Sequence, residues 1–214
     1  MEWLFEDRVD AGRRLARALL QRGIADPVVL ALPRGGVPVA AEVAKALKAP
    51  LDLLLVRKIG APDQPELAVA AVADGAEPAL AIDEQTLALC GTSLEYVTGE
   101  LPAHIKEIER RRALYLKGRP PVPVDGKTVV LVDDGIATGT TVRAAIRALR
   151  QRHPARVVLA VPVAPATEVQ ALRAEVDDLV CLETLDWFGA VGAHYRHFGQ
   201  TSDEEVVALL KERS

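Results

Sequence analysis

At 214 residues, 50% of them hydrophobic, with a formal net charge of −4, the chain is long enough to bury its own core and too acidic for general nucleic-acid affinity. Cys90 and Cys181 are its only cysteines and stand far apart in sequence, which excludes a disulfide framework and points to a reducing cytoplasm. Met1 to Arg8 lacks the basic start and apolar stretch of a secretory leader, and no apolar run approaches membrane-spanning length.

Asp7 to Arg22 reads as an amphipathic helix, with Val9, Leu15 and Leu19 on one side and Arg13, Arg14 and Arg17 on the other; Asp7 suits its N-cap and Gly23 its end. Val28 to Leu32 is an unbroken apolar run, the mark of a strand buried on both faces. It ends in Pro33-Arg34-Gly35-Gly36-Val37-Pro38, before a helix from Val39 to Leu47. A second strand, Leu51 to Val56, ends in Arg57 and Lys58. This alternation implies parallel βαβ units, hence an α/β fold with a mostly parallel central sheet flanked by helices. Ile59 to Pro65, carrying Gly60, Pro62, Asp63 and Pro65, reads as a surface loop and a candidate lid. Leu67 to Ala73 and Ala79 to Ile82 read as a hairpin across Asp74-Gly75.

A helical insertion is expected over about residues 84–120, with a short piece holding Leu87 and Leu89 and a longer one from Ser93 to Lys117. Leu94, Val97, Leu101, Ile105, Ile108 and Tyr115 recur there at helical spacing, and Pro102 either kinks the helix or opens its second half. The insertion packs on its own domain or on a second subunit of a homodimer. Arg110 to Arg112 reads as a solvated face paired with Glu107 and Glu109 rather than as an RNA site. Gly118 to Pro123 is a stiff linker into the next strand.

The chain is organised around Gly126 to Thr141. The apolar run Val129 to Val132 leads into Asp133 and Asp134, then into Gly135-Ile136-Ala137-Thr138-Gly139-Thr140-Thr141, then into a helix from Val142 to Arg150. A glycine-rich turn that opens a helix is an anion site, because the first N–H groups of the helix lack partners and carry the positive end of its dipole. The carboxylates at the strand's C-terminal end suit a sugar diol or a hydrated Mg²⁺. No Lys follows Gly139, which excludes a Walker loop, and no G-x-G-x-x-G is present for a dinucleotide. Beyond this point Arg156 to Val161 and Asp178 to Leu182 are strands separated by a helix, and Ser202 caps a last helix with Glu205.

Four apolar residues, two acidic residues and an Ala-Thr-Gly-Thr-Thr loop resemble the signature by which type I phosphoribosyltransferases bind 5-phosphoribosyl 1-pyrophosphate (PRPP). The resemblance implies a single domain over 1–214 with a Rossmann-like core at about 28–182 and a small hood formed by 1–6 and 183–201. It implies a glycosyltransferase of nucleotide and nucleoside metabolism that moves ribose 5-phosphate from PRPP to a nitrogenous base or related nucleophile with Mg²⁺ as cofactor, the acceptor being unassigned. Asp133 and Asp134 then hold the ribose hydroxyls and the metal, Gly135, Ile136, Ala137, Thr138, Gly139, Thr140 and Thr141 cradle the 5-phosphate, and Arg34, Gly35 and Gly36 contact pyrophosphate. Arg57 and Lys58 resemble the pair that precedes a closing loop in adenine phosphoribosyltransferases, where they would neutralise charge on the leaving group. Hypoxanthine-guanine enzymes carry an Asp where Ala137 stands, so the resemblance argues against a 6-oxopurine acceptor of that kind. In the hood, Trp187 or Phe188 either stacks on a planar base or joins an aromatic cluster with Trp3 and Phe5. A PRPP-sensing regulator that binds nucleic acid or protein would carry the same signature, though the chain lacks the basic surface that nucleic acid demands.

Overall fold

The structure, a computed structural model, describes residues 3–74 and 78–211, without the side chain of Glu66. It divides into two compact units, Met1–Leu53 with Val122–Gly139 and Pro154–Ser214, and Leu54–Pro121 with Thr140–His153.

In the first unit, α1 (Arg8–Leu20) leads to β1 (Pro27–Ala31), α2 (Gly36–Leu47) and β2 (Leu51–Leu53); β6 (Thr128–Val132), β7 (Arg156–Pro165), α6 (Ala166–Leu172), β8 (Asp178–Leu185) and α7 (Asp203–Lys211) follow. Its five strands are all parallel in the order β2-β1-β6-β7-β8, and β1 lies in register with β6 through Val28↔Val129 and Leu30↔Leu131. Every residue of β1 is buried, as its unbroken apolar run requires. Asp7 caps α1 by accepting the Asp10 N–H at 2.8 Å. Helix α2 starts at Gly36 rather than at Val39, because Pro38 is accommodated in a first helical turn, where its missing N–H costs nothing. Strand β7 runs on to Pro165, four residues past the expected end, and buries Val163 and Ala164. Buried Asp52 accepts the N–H groups of Leu53 and Val122 at 2.8 and 2.7 Å, which ties the incoming linker to the sheet.

The N-terminal segment and the tail interlock within this unit. Leu4 and Phe5 donate to the His194 carbonyl at 3.0 and 3.1 Å, and Arg196 N–H returns to the Phe5 carbonyl at 2.9 Å. Phe5 stacks on Tyr195 at 5.3 Å between centroids, and Tyr195 on Phe198 at 5.0 Å. Of the hood expected over 1–6, Met1 and Glu2 lie outside the described residues.

The second unit is an antiparallel sheet of β3 (Val56–Ala61), β4 (Gln64–Ala73) and β5 (Ala79–Ile82), with α3 (Glu84–Leu89), α4 (Leu94–Leu116) and α5 (Thr140–Arg150). Two expectations are corrected here. The run Leu51 to Val56 is not one strand: β2 stops at Leu53, and Arg57 and Lys58 stand inside β3 rather than at a strand end. Ile59 to Pro65 is not a loop: it is the end of β3, a turn at Pro62 and Asp63, and the start of β4, held because Ile59 is fully buried against Val69, Ala70 and Val97. The β4–β5 hairpin forms as expected, although Gly75 of its connection lies outside the described residues. Ser93 caps α4 by accepting the Tyr96 N–H at 3.2 Å, and α4 runs unbroken through Pro102. The helix buries Val97, Ile108, Tyr115 and Leu116 but leaves Leu94 exposed. Arg110 and Arg111 both donate to Glu107, the solvated charge pairing that the sequence suggested. Arg112 instead points inward, to buried Asp74, whose carboxyl burial pushes up despite that arginine and the Leu55 N–H at 3.0 Å.

Candidate active site

Buried β6 delivers Asp133 and Asp134 to the C-terminal edge of the parallel sheet, beside the turn that leaves β1. The Pro33–Arg34 peptide bond in that turn is cis. Gly35 lies directly against the carboxylate of Asp134, and a Cβ on Gly36 would stand 2.9 Å from both the Asp133 Cα and the Val132 carbonyl. A side chain at Gly36 would meet backbone, and one at Gly35 would displace the Asp134 carboxylate, so the glycine turn and the two carboxylates form one continuous wall. The Asp134 N–H donates to Oδ1 of Asp133 at 2.9 Å, which orients the first carboxylate.

Two residues that the sequence did not single out complete this wall. Arg8, the first residue of α1, donates through Nε to Oδ2 of Asp134 at 2.7 Å. Tyr195 donates its hydroxyl to the Asp134 carbonyl at 2.5 Å, and burial beside the Asp134 charge raises its pKa, so it stays a donor. Burial raises the pKa of both aspartates; the charge of Asp134 pushes Asp133 up further, whereas Arg8 restrains the rise at Asp134. Arg8 sits among surface cations in an amphipathic pattern, and Tyr195 reads as one more tail aromatic; neither carries a local signal.

The loop beyond the carboxylates leaves the sheet open-handed. Ile136 anchors it, with a buried side chain and an N–H committed to the Val163 carbonyl at 3.0 Å. Ala137 and Thr138 are exposed, Gly139 takes a φ of 67°, and Thr140 and Thr141 form the first turn of α5. Arg34 is partly exposed and reaches Asp203 at 3.4 Å. Arg57 and Lys58 belong to the second unit, where Nε of Arg57 is enclosed with no hydrogen-bond partner among the described residues. Burial lowers the pKa of His104 in the same unit, and the Arg57 charge lowers it further. In the tail, Phe188 stacks on His194 at 4.8 Å within the aromatic cluster, while Trp187 stands 93% exposed. Trp3 is exposed as well, so Phe5 alone supplies the N-terminal ring of that cluster.

The phosphoribosyl transferase domain family has a sequence model that matches residues 5–196. The chain belongs to that family. Over 209 residues, 97% of this chain, it is 47% identical to the Mycobacterium tuberculosis protein named "Putative phosphoribosyl transferase Rv0571c". It spans 46% of that relative, about half its length. The crystal structure of TT1426 from Thermus thermophilus shares 43% identity and a TM-score of 0.88 over 98% of this chain and 99% of that one. AQ2163 from Aquifex aeolicus, 11% identical with a TM-score of 0.51 over 85% and 74% of the two chains, shares the fold alone. The mostly parallel sheet flanked by helices is therefore the phosphoribosyltransferase fold. Among the described residues no helix is long and apolar enough to cross a membrane.

Proposed function

We propose that this protein transfers ribose 5-phosphate from PRPP to a nitrogen nucleophile and releases pyrophosphate. The observation that carries the reading is the packing of Gly35 and Gly36 against Asp133 and Asp134, which joins the turn read as a pyrophosphate site to the carboxylates read as ribose ligands. The 5-phosphate occupies the loop from Ala137 to Thr141, of which Ala137, Thr138 and Thr141 are exposed and the last two residues open α5. Within the second unit the enclosed Arg57 Nε favours an anion, since an unpaired buried donor is costly.

Mg²⁺ fits the donor set. Asp133 and Asp134 are two hard oxygen ligands, and among the described residues no group of three or more His, Cys, Asp or Glu side chains forms a cage; Mg²⁺ usually takes one or two carboxylates and substrate phosphates. Bound there, it supplies charge that balances pyrophosphate. The protein's own residues orient the ribose through Asp133 and Asp134 and hold the phosphate in the loop, which brings the anomeric carbon to the nucleophile; no covalent intermediate with the protein is needed. The acceptor is a base other than a 6-oxopurine read by an acidic loop residue, since Ala137 offers no carboxylate.

The test is pyrophosphate release from PRPP and Mg²⁺ across purine, pyrimidine and pyridine bases, with calorimetric binding of the donor alone. Release with one base supports the reading and identifies the acceptor. Tight donor binding without release by any base would favour a sensor. Absence of donor binding, or unchanged binding in the double variant Asp133→Asn and Asp134→Asn, would overturn the reading.

A further inference from the structure

Arg8 is committed on three sides. Its Nε donates to Oδ2 of Asp134 at 2.7 Å, its Nη1 donates to the Gly199 carbonyl at 2.7 Å, and its guanidinium lies 3.8 Å from the Phe198 ring centroid. Its side chain is 12% exposed and that of Asp134 14%, so this is not a solvated surface pair. On its other side the Asp134 carboxylate abuts Gly35, where a Cβ would displace it. One carboxylate is thus clamped between the pyrophosphate turn and a planar cation that is itself held by the hood. Charge alone would be served by lysine. Two donors fixed in one plane, with the flat face on an aromatic ring, require arginine.

We propose that Arg8 is a positioning residue for phosphoribosyl transfer: it fixes the orientation of the Asp134 carboxylate for the donor's ribose hydroxyls and, through Gly199 and Phe198, couples donor binding to order in the hood. The inference rests on the reading of Asp134 as a ribose ligand given above. A simple brace would stabilise the unit without any particular response to donor. A positioning residue makes segment 195–201 sense whether the donor is bound.

The experiment measures calorimetric binding of PRPP with Mg²⁺ to the full chain and to Arg8→Lys and Arg8→Ala, with hydrogen exchange over 195–201 in the presence and absence of donor. Ethylguanidinium is added to the alanine variant. The expected result is that donor slows exchange over 195–201 in the parent and not in Arg8→Ala. Donor affinity should fall roughly tenfold to a hundredfold in Arg8→Ala, the size expected for a lost hydrogen bond to a charged group. Ethylguanidinium should restore part of that loss, and Arg8→Lys should fall between the two. Parental affinity in either folded variant overturns the role of Arg8 while leaving the transferase reading intact. Equal losses in both variants with no rescue also overturn it, as a brace would behave that way. If Arg8→Ala fails to fold, Arg8→Lys decides alone, a weakened donor affinity supporting the role and a parental one sinking it. Failure of the parent itself to bind donor is a different result, which removes the transferase reading and the role of Arg8 together.

Discussion

Tyr195→Phe isolates one hydroxyl at the centre of the candidate site. The ring is 2% exposed and stays packed between Phe5 and Phe198, so the substitution leaves apolar burial intact and removes the bond to the Asp134 carbonyl. A buried carbonyl left without its donor costs about 1–3 kcal/mol. At roughly 3 °C per kcal/mol for a chain of this size, the loss corresponds to about 3–9 °C in Tm. Differential scanning calorimetry at neutral pH reads the shift directly, and it suits a protein whose two tryptophans, Trp3 and Trp187, are both exposed. Tyr195→Ala provides scale, since losing the ring adds a cavity and costs about 3–5 kcal/mol. A Tyr195→Phe protein that melts within about 1 °C of the parent would refute the claim that this hydroxyl holds the carboxylate loop.

Gly36→Ala should abolish detectable donor binding and lower Tm, because the added methyl meets the Asp133 Cα and the Val132 carbonyl at 2.9 Å and backbone must shift to admit it; isothermal calorimetry with PRPP and Mg²⁺ checks it, and parental affinity would count against the wall described above. Asp83 caps α3 through the Thr86 N–H at 3.0 Å and receives Arg147 of α5 at 2.7 Å. Burial pushes its carboxyl up, but the Thr86 bond and Arg147 outweigh it and leave the pKa below the ordinary aspartate value of 3.8. Its stabilising contribution is therefore complete above pH 3.8 and is lost as pH falls through the lower folded-state value. Asp83→Asn should cost about 1 kcal/mol at pH 7 and flatten the acid limb of a urea-stability profile measured from pH 2 to 7. An unchanged acid limb would show that the pair contributes nothing.

What the sequence could reveal was contiguous. The strand, carboxylate pair and threonine loop lie within sixteen consecutive residues, 126–141, so their chemistry is legible from order alone. The parallel core was legible because strands such as β1 and β6 are buried on both faces and their apolar runs are unbroken. The same reasoning failed over Leu51 to Val56. Leu53, Leu54 and Leu55 are all buried, so the apolar run continues while the chain leaves one sheet for another, and periodicity carries no mark of the change. It failed again over Ile59 to Pro65, where Gly60, Pro62 and Asp63 outweighed Ile59 in the reading. Those residues mark the turn and a shift in strand pairing at Gly60, not a loop that spans the whole segment.

Arg8 and Asp134 show the other limit, since 126 positions separate them. Arg8 follows an N-cap in a helix studded with arginines, and nothing local distinguishes the one that turns inward from Arg13 or Arg14, which stay exposed. Only the three-dimensional course of the tail makes the difference, by presenting the Gly199 carbonyl and the Phe198 ring beside the start of α1. The tail aromatics follow the same logic. Sequence composition concentrates them after β8 without saying whether they face a ligand or each other, and Phe188, Tyr195 and Phe198 pack with His194 and Phe5. Those rings are the support through which Tyr195 reaches the Asp134 carbonyl and Phe198 backs Arg8. The tail thus contributes to the carboxylate site through geometry that no single stretch of the chain encodes.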